Sequence, residues 1–545
     1  MEKIEKLKKF FKREEIDGYI IPKNNEFFSE YIPDYHDRLN FISNFTGSYG
    51  FALILKDKNY LFVDGRYTLQ ANNQSGKLFK IITIPDKMPN DILKRKRLII
   101  GFDPKLFTRK SLSFFFGKSS SIYKPLNSNL IDKIWKRETK NNKNKFFLLP
   151  SKSVSEKYQS KIKKIVSFLK KNKSDFLFIT ASENNAWLLN IRGYDTKFTP
   201  IPYSYILIDK NKNIKFFCDL KKIPKYLRGH FNKTKFLDIK SCAKFLAKIK
   251  KKQFIIDRDT CSHYFENVII KNNNILNFHD PIYFFKAIKG EREIDNIKKA
   301  HIDDGVALTK YLFWLKKNFY QKTISGSGPN GAIIHYKATR QTDRKLKKGD
   351  IYLVDSGGQY EFGTTDVTRT ISLNNTNKRI KDIFTRVLKG HIAVANFKIK
   401  KNTTGSEIDI KARKYLKQIG LNYAHGTGHG VGFFLNVHEG PQAISKKNKV
   451  NFQKGMIVSN EPGYYEKNKF GIRIENLIYV KENKKIMTFE NLTMAPIDKD
   501  LIIQENLNLD EKNWLNNYHK TVFENLRKSM NKTEALELKK ACSAI

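Results

Sequence analysis

The sequence predicts a mixed α/β (α+β) chain: two tandem α/β domains, a third domain of different character, and a short helical C-terminal extension. Three observations predict this. Residues 1–290 hold a diverged internal repeat. A long helical pattern near residue 288 then leads into a segment dense in glycine, histidine and acids. The tail beyond about 505 has apolar stripes and no cluster that carries chemistry. The expected boundaries are 1–140, 152–287, 288–505 and 506–545, with the polar stretch 136–158 as linker.

The first copy of the repeat reads "LKKFFKREEIDGYIIPKNN", "LNFISNFTGS" and "FALILKDKNYLFVDG". The second reads "IVSFLKKNKSDFLFITASENN", "AWLLNIRGYD" and "SYILIDKNKNIKFFCD". Each runs amphipathic helix, apolar strand, N-x-[TR]-G turn, then two strands around a lysine-rich turn. Asp17 and Asp175 precede matching strands, and Asp64 and Asp219 end matching strands. The third domain opens on "AIKGEREIDNIKKAHIDDGVALTKYLFWL", with apolar residues at helical spacing. The tail, "LNLDEKNWLNNYHKTVFENLRKSMNKTEALELKKACSAI", reads as two short helices whose stripes suit packing between subunits.

With 545 residues, two to four domains are expected, and 40% hydrophobic residues suffice for several cores. No stretch of about 18 uncharged apolar residues appears, so no membrane partner is expected. The N-terminus lacks the apolar core and small-residue cleavage site of a signal peptide. Four scattered cysteines form no CxxC pair, which suits reduced thiols and a cytoplasmic location. The net charge of +48 is mostly lysine, spread along the whole chain among Asn, Ile, Phe and Tyr. These residues share AT-rich codons. Nucleotide bias accounts for the excess, and no specific nucleic-acid partner is expected.

In "GDIYLVDSGGQYEFGTTDVTRTI" two strands join through a glycine-rich turn. Asp355 ends an apolar run and Asp366 lies in the return strand. Carboxylates among apolar strand residues are costly unless paired, hydrogen-bonded or bound to a cation. Two capped turn aspartates explain this fragment equally well. Glu461, before the Pro-Gly of "NEPGYY", and Glu475, mid-strand in "GIRIENLIYV" on a face with Arg473, add two more acids. "YAHGTGHGVGFFLNVHEGP" adds His425, His429 and His438 between glycines, where a metal site, a proton relay and an incidental loop all fit. Four carboxylates with one or two imidazoles suit two divalent ions such as manganese, cobalt or zinc. "GSGPNG" matches GxGxxG, but contains Pro329 and follows no apolar strand, so it is no dinucleotide fingerprint.

These motifs carry a resemblance. "FVDGRYTLQA", "AWLLNIRG", "TISGSGPNGAIIHY", "VDSGGQYEFGTTDVTRT", "HGTGHGVGFFLNVHEGP", "NEPGYY", "GIRIEN" and "WLNNYH…EALE" occur in the order seen in aminopeptidase P, the Xaa-Pro aminopeptidases. The chain resembles the long three-domain form nearly end to end. The resemblance implies two creatinase-N-like domains (1–140 and 152–287), a pita-bread catalytic domain (288–505) and the C-terminal extension. It implies two divalent ions, manganese first, held by Asp355, Asp366, His429, Glu461 and Glu475, with Asp366 and Glu475 bridging. His335, His425 and His438 would line the substrate pocket, and Arg473 would support Asp355 from behind. The implied reaction is attack by a metal-bridging hydroxide on the bond before proline in peptides with proline second. Glu461 would take the proton, and His425 and His438, titrating near neutrality, would shuttle it. Arg340, Arg369 and Tyr464 are candidate substrate contacts, and a homodimer is implied. The alternatives are a prolidase cleaving only Xaa-Pro dipeptides and a non-catalytic peptide-binding protein. Prolidase-like chains lack the second repeated domain and the tail, and the ligand set here is intact.

Overall fold

In the computed structural model, helix α1 (Glu2–Arg13) buries the stripe Ile4, Leu7 and Phe11, spaced for one helical face. The described residues are 1–545 apart from 96, 138–142, 232, 319–325, 334–343, 375 and 485. They fall into two compact units, Met1–Ser151 with Glu156–Ile282, and Lys152–Ser155 with Tyr283–Ile545.

In the first unit, α1 leads into β1 (Gly18–Pro22), β2 (Phe51–Leu55), β3 (Asn59–Asp64), β4 (Lys80–Ile84), β5 (Ile99–Phe102) and β6 (Ile122–Pro125). The sheet order is β4-β3-β2-β1-β5-β6. Alternate residues feed two cores, as the two-residue period of a strand requires. Tyr19, Ile21, Ala52, Ile54, Leu61 and Val63 join the cluster under α1. Ile20, Phe51, Leu53, Leu55, Tyr60 and Phe62 face the opposite cluster. The strands are apolar on both faces because both faces are covered.

The second copy repeats this. Helix α2 (Tyr158–Lys171) precedes β7 (Phe176–Ile179), β8 (Ser204–Asp209), β9 (Ile214–Cys218), β10 (Thr234–Asp238), β11 (Gln253–Ile256) and β12 (Asn274–Asn277). Their order is β10-β9-β8-β7-β11-β12, the same topology. In both sheets the first strand pairs antiparallel with the second and parallel with the fifth. The matched aspartates explain part of the likeness. The Asp17 backbone N–H donates to Ile99 O, while its carboxylate accepts from the Ile99 N–H and from Lys56. Asp175 makes the same bonds to Gln253 and Lys210. Each aspartate therefore ties the first strand to its parallel neighbour and to the lysine-rich turn.

The second unit begins with α3 (Glu291–Asn318) and a long hairpin, β13 (Ile351–Tyr360) and β14 (Gly363–Ser372). Next come α4 (Lys378–Ala395), α5 (Gly405–Lys417), β15 (Gly428–Gly430), β16 (Glu439–Ile444), β17 (Ile457–Asn460), β18 (Gly463–Glu466), β19 (Phe470–Arg473), β20 (Asn476–Asn483) and β21 (Ile486–Asn491). Strands β16-β15-β17-β20-β21 form one sheet. "GSGPNG" lies in a two-residue strand and a 3-10 turn, Gly328–Ala332.

Two expectations change here. The turn of the hairpin is Glu361–Phe362, and Gly357 and Gly358 lie inside β13. Gly357 sits opposite Asp366, and a β-carbon there would stand 2.8 Å from Thr365 O. The glycine makes room for Asp366 where a turn was expected. The tail forms α6 (Leu509–Leu526) and α7 (Lys532–Ala541), whose Leu515, Tyr518, Val522, Leu526 and Leu538 pack into the core around α4. Its stripes are buried within its own unit.

A buried charge cluster lies close to the histidine loop. Lys286 Nζ and Lys289 Nζ stand 3.2 and 2.8 Å from the two oxygens of Glu439, and all three side chains are at most 1% exposed.

Candidate metal centre

The hairpin register pairs Asp355 with Thr368 and Gly357 with Asp366. Asp355, Gly357, Asp366 and Thr368 therefore share one face, with the two carboxylates diagonal to each other. Glu475 joins them from the link between β19 and β20. Its N–H donates to Thr368 O at 3.1 Å, and its carboxylate accepts from Thr368 Oγ1 at 2.6 Å. His429, on β15, brings Nε2 to 3.4 Å from Asp366 Oδ2 and 3.7 Å from Glu461 Oε1. Its Nδ1 meets Gly430 O at 3.0 Å, which orients the ring and leaves Nε2 turned to the carboxylates. Glu461 follows β17. Its N–H donates to Thr427 O, and Ser459 Oγ donates to its carboxylate at 3.1 Å. Ser459 Oγ also accepts from the His429 N–H at 2.9 Å, so one hydroxyl locks two members of the site.

Ligand atoms of Asp366, His429 and Glu475 all lie within 4.8 Å of one another. Asp355 and Glu461 belong to the same electrostatic cluster. Burial, then the charges of Asp366, Glu461 and Asp355, hold Glu475 well above the usual carboxylate range. Asp355 is pushed up to about 6, first by burial and then by Asp366 and Glu461, against the pull of Arg473. Its side chain is 43% open to solvent, so the weaker of these two shifts is its own. Burial alone would lower His429, but the Asp366 hydrogen bond and the Glu461 charge raise it to about 10. Acids that resist ionising and a histidine that holds its proton describe a site lacking positive charge. The oxygen-rich donor set fits divalent metal ions.

A pH prediction follows from these shifts. His429 rises from 6.5 to about 10, so its contribution to stability is complete below 6.5 and is lost as pH climbs toward 10. Glu475, with its pKa raised, likewise favours the metal-free fold less as pH rises above the ordinary value of 4.5. Metal ions bound by these groups would take the place of the protons. The gain in melting temperature on adding manganese to metal-free protein is therefore expected to grow between pH 5.5 and 8.5. A gain that is constant or shrinks across thermal melts in this range would contradict the assignment.

Behind the acids, Arg473 donates from Nη2 to Asp355 Oδ2 at 2.5 Å, from Nε to Thr368 Oγ1 at 2.8 Å and from Nη1 to Tyr465 OH at 2.8 Å. Tyr465 OH lies 3.0 Å from His425 Nε2, and His425 Nδ1 lies 3.9 Å from Glu461 Oε2. The His438 ring meets that of His429 edge-on, with centroids 4.3 Å apart. Burial pushes His425 down to about 4, more than the Glu461 charge pulls it back. It is neutral at pH 7, so the near-neutral titration expected of it is corrected: its imidazole offers a fixed donor and acceptor. His335 and Arg340 lie outside the described residues.

One further expectation changes. Arg369 is fully buried and donates to Thr368 O, Glu475 O, Ala495 O and Pro496 O, so it braces backbone and touches no substrate. Tyr464 and Tyr465 are both half-buried against the α4 core, and the Tyr465 hydroxyl accepts from Arg473 Nη1. Tyr465, Thr368 and Ser459 are the site residues that sequence reasoning missed. The period of two in "GYYE" was the available signal for Tyr465.

Residues 282–482 match the metallopeptidase family M24. Residues 3–115 and 137–293 match creatinase/prolidase N-terminal domains, and 485–545 the C-terminal region of peptidase M24. The chain is 35% identical to Xaa-Pro aminopeptidase 1 of Dictyostelium discoideum, over 97% of this chain and 94% of that one. It is 35% identical to a probable Xaa-Pro aminopeptidase P of Laccaria bicolor, over 100% and 93%. Its structure matches X-prolyl aminopeptidase from Caenorhabditis elegans, described as a cytosolic enzyme with a di-nuclear active site. That match has a TM-score of 0.93 at 29% identity, covering 100% and 99% of the two chains. A prolidase from Pyrococcus horikoshii matches at a TM-score of 0.50 and 25% identity, and covers only 62% of this chain.

Proposed function

Because this chain belongs to the Xaa-Pro aminopeptidases of metallopeptidase family M24, we propose that it removes the N-terminal residue from peptides with proline second. The observation that carries this reading is the convergence of Asp355, Asp366, His429, Glu461 and Glu475, in a chain similar to these enzymes from end to end. These five side chains would hold two divalent ions, and a donor set of four carboxylates and one imidazole favours manganese. Ions so held supply Lewis acidity, which makes a hydroxide nucleophile available from water near neutral pH.

The remaining work belongs to the chain's own residues. Glu461, fixed by Ser459 and the Thr427 carbonyl, accepts the proton of the attacking water and passes it to the leaving proline nitrogen. His425, neutral and held by Tyr465, offers a hydrogen bond to the substrate without adding charge. His438, edge-on to His429, lines the same space. The bond cut is a tertiary amide with no N–H, so recognition must come from ring shape and from the free N-terminus.

Release of the first residue from a Xaa-Pro-Xaa tripeptide in manganese is the test. Robust tripeptide cleavage with little release from the matching Xaa-Pro dipeptide is the expected result. Dipeptide cleavage alone would turn the reading to prolidase. Silence on both substrates with manganese, cobalt and zinc would leave a peptide-binding protein. The same reading carries a cytosolic location, by likeness to the Caenorhabditis elegans enzyme, and a homodimer, as the resemblance of the sequence implies. Among the described residues no helix is long and apolar enough to cross a membrane.

A further inference from the structure

Arg369 and His391 are two buried struts beside the proposed ligands. Arg369 Nη1 donates to Thr368 O at 2.8 Å and to Glu475 O at 2.7 Å. Its Nη2 donates to Tyr518 OH at 2.8 Å and to Asn476 Oδ1 at 2.8 Å. His391 Nδ1 meets Asn460 O at 3.1 Å, and Asn460 Nδ2 returns a bond to His391 O at 2.9 Å. Asn460 immediately precedes Glu461. Both struts are capped by one helix. Trp514 packs edge-on to His391, with ring centroids 5.7 Å apart, and stacks flat on Tyr518 at 5.4 Å and 4°. Tyr518 OH, besides accepting from Arg369, donates toward Ala495 O at 2.8 Å.

We infer that α6, in the C-terminal extension, is a positioning element of the metal centre: Tyr518 and Trp514, one turn apart, brace the two struts that fix the backbone at Glu475 and Glu461. A helix that served only to cover the core would need apolar side chains there. Instead it sets a hydroxyl against Arg369 Nη2 beside Asn476 Oδ1 and Ala495 O, and the same hydroxyl donates to Ala495 O, so Tyr518 fixes where the buried guanidinium sits among acceptors it already has. Burial also pushes His391 down to about 3, so this strut stays neutral and its geometry does not change over the working pH range. The two arms converge on carboxylates that the site needs at fixed separations, and support of this kind tunes metal affinity.

The inference rests on the ligand assignment proposed above. Its test is Tyr518→Phe in the full-length enzyme, which keeps the ring and its stacking and removes one oxygen. Manganese affinity by equilibrium dialysis with elemental analysis is expected to weaken about ten-fold or more, with kcat falling and KM unchanged. Leu526→Ala, on the same helix and fully buried, is the control. It is expected to lower the melting temperature and leave manganese affinity as in the wild type. Wild-type affinity in Tyr518→Phe would overturn the inference. So would an equal loss of affinity in Leu526→Ala at a matched drop in melting temperature. Should Tyr518→Phe not fold, Trp514→Phe, which opens the contact on His391, is judged by the same affinity criterion. A wild-type enzyme that binds no manganese would instead bring down the ligand assignment, and this inference with it.

Discussion

Asp366→Asn is expected to abolish proline-specific cleavage and to strip metal from the enzyme. Asp366 is the carboxylate on which the site turns: it shares a face with Asp355, lies 3.4 Å from His429 Nε2 and contributes to the raised pKa of Glu475. Asparagine keeps the shape and removes the charge, so the fold should survive while the ion between the acids loses a ligand. Replacing only outer support of a metal commonly costs 10–100-fold, so losing a ligand itself should reduce kcat/KM by more than about 100-fold. Elemental analysis of the purified variant should show fewer than the wild-type number of ions per chain. A variant with full metal content and appreciable turnover would remove Asp366 from the ligand set.

Glu439→Gln is expected to unfold far more easily than the wild type, for a reason unrelated to catalysis. The Glu439 carboxylate is the charge partner seen for both Lys286 and Lys289, and all three are sealed from water. Neutralising it leaves two buried ammonium groups facing an amide, and breaking a buried ion pair from one side costs about 3–5 kcal/mol. Urea denaturation of the metal-loaded protein at neutral pH would read that loss. Adding Lys286→Met removes one surplus charge and should recover part of the stability. If Glu439→Gln alone unfolded within about 0.5 kcal/mol of the wild type, the cluster would not be sealed as described.

Much of this architecture is legible in the sequence, and the reasons can be named. The repeat is visible because each copy must cover both faces of its sheet, which forces apolar strands such as "FALIL" and "SYILID" flanked by amphipathic helices. Asp17 and Asp175 stand out for a related reason, each bonding its own sheet in the same way. The acids of the third domain stand out because carboxylates inside apolar strands demand an explanation. What escaped was set by distant contacts. The partners of Arg369 include Tyr518 and Pro496, far along the chain, so nothing local marked it as a strut. Strand alternation did hold a clue: Arg369 lies on the face opposite Asp366 and Thr368. The shift of His425 depends on its burial and on Arg473 and Arg413 around it, which no motif encodes.

The hairpin register has a consequence for how such enzymes can vary. Asp355 and Asp366 cooperate only because an even step separates each from the other's cross-strand partner, Gly357 and Thr368. An insertion or deletion of one residue between them, taken up by sliding one strand past the other, would turn one carboxylate to the far side of the sheet. A change of two residues at the Glu361–Phe362 tip would lengthen the hairpin and leave both acids where they are. Descendants of this sequence can therefore remodel the tip in pairs of residues, whereas an odd change absorbed as a slip in register would separate the two acids.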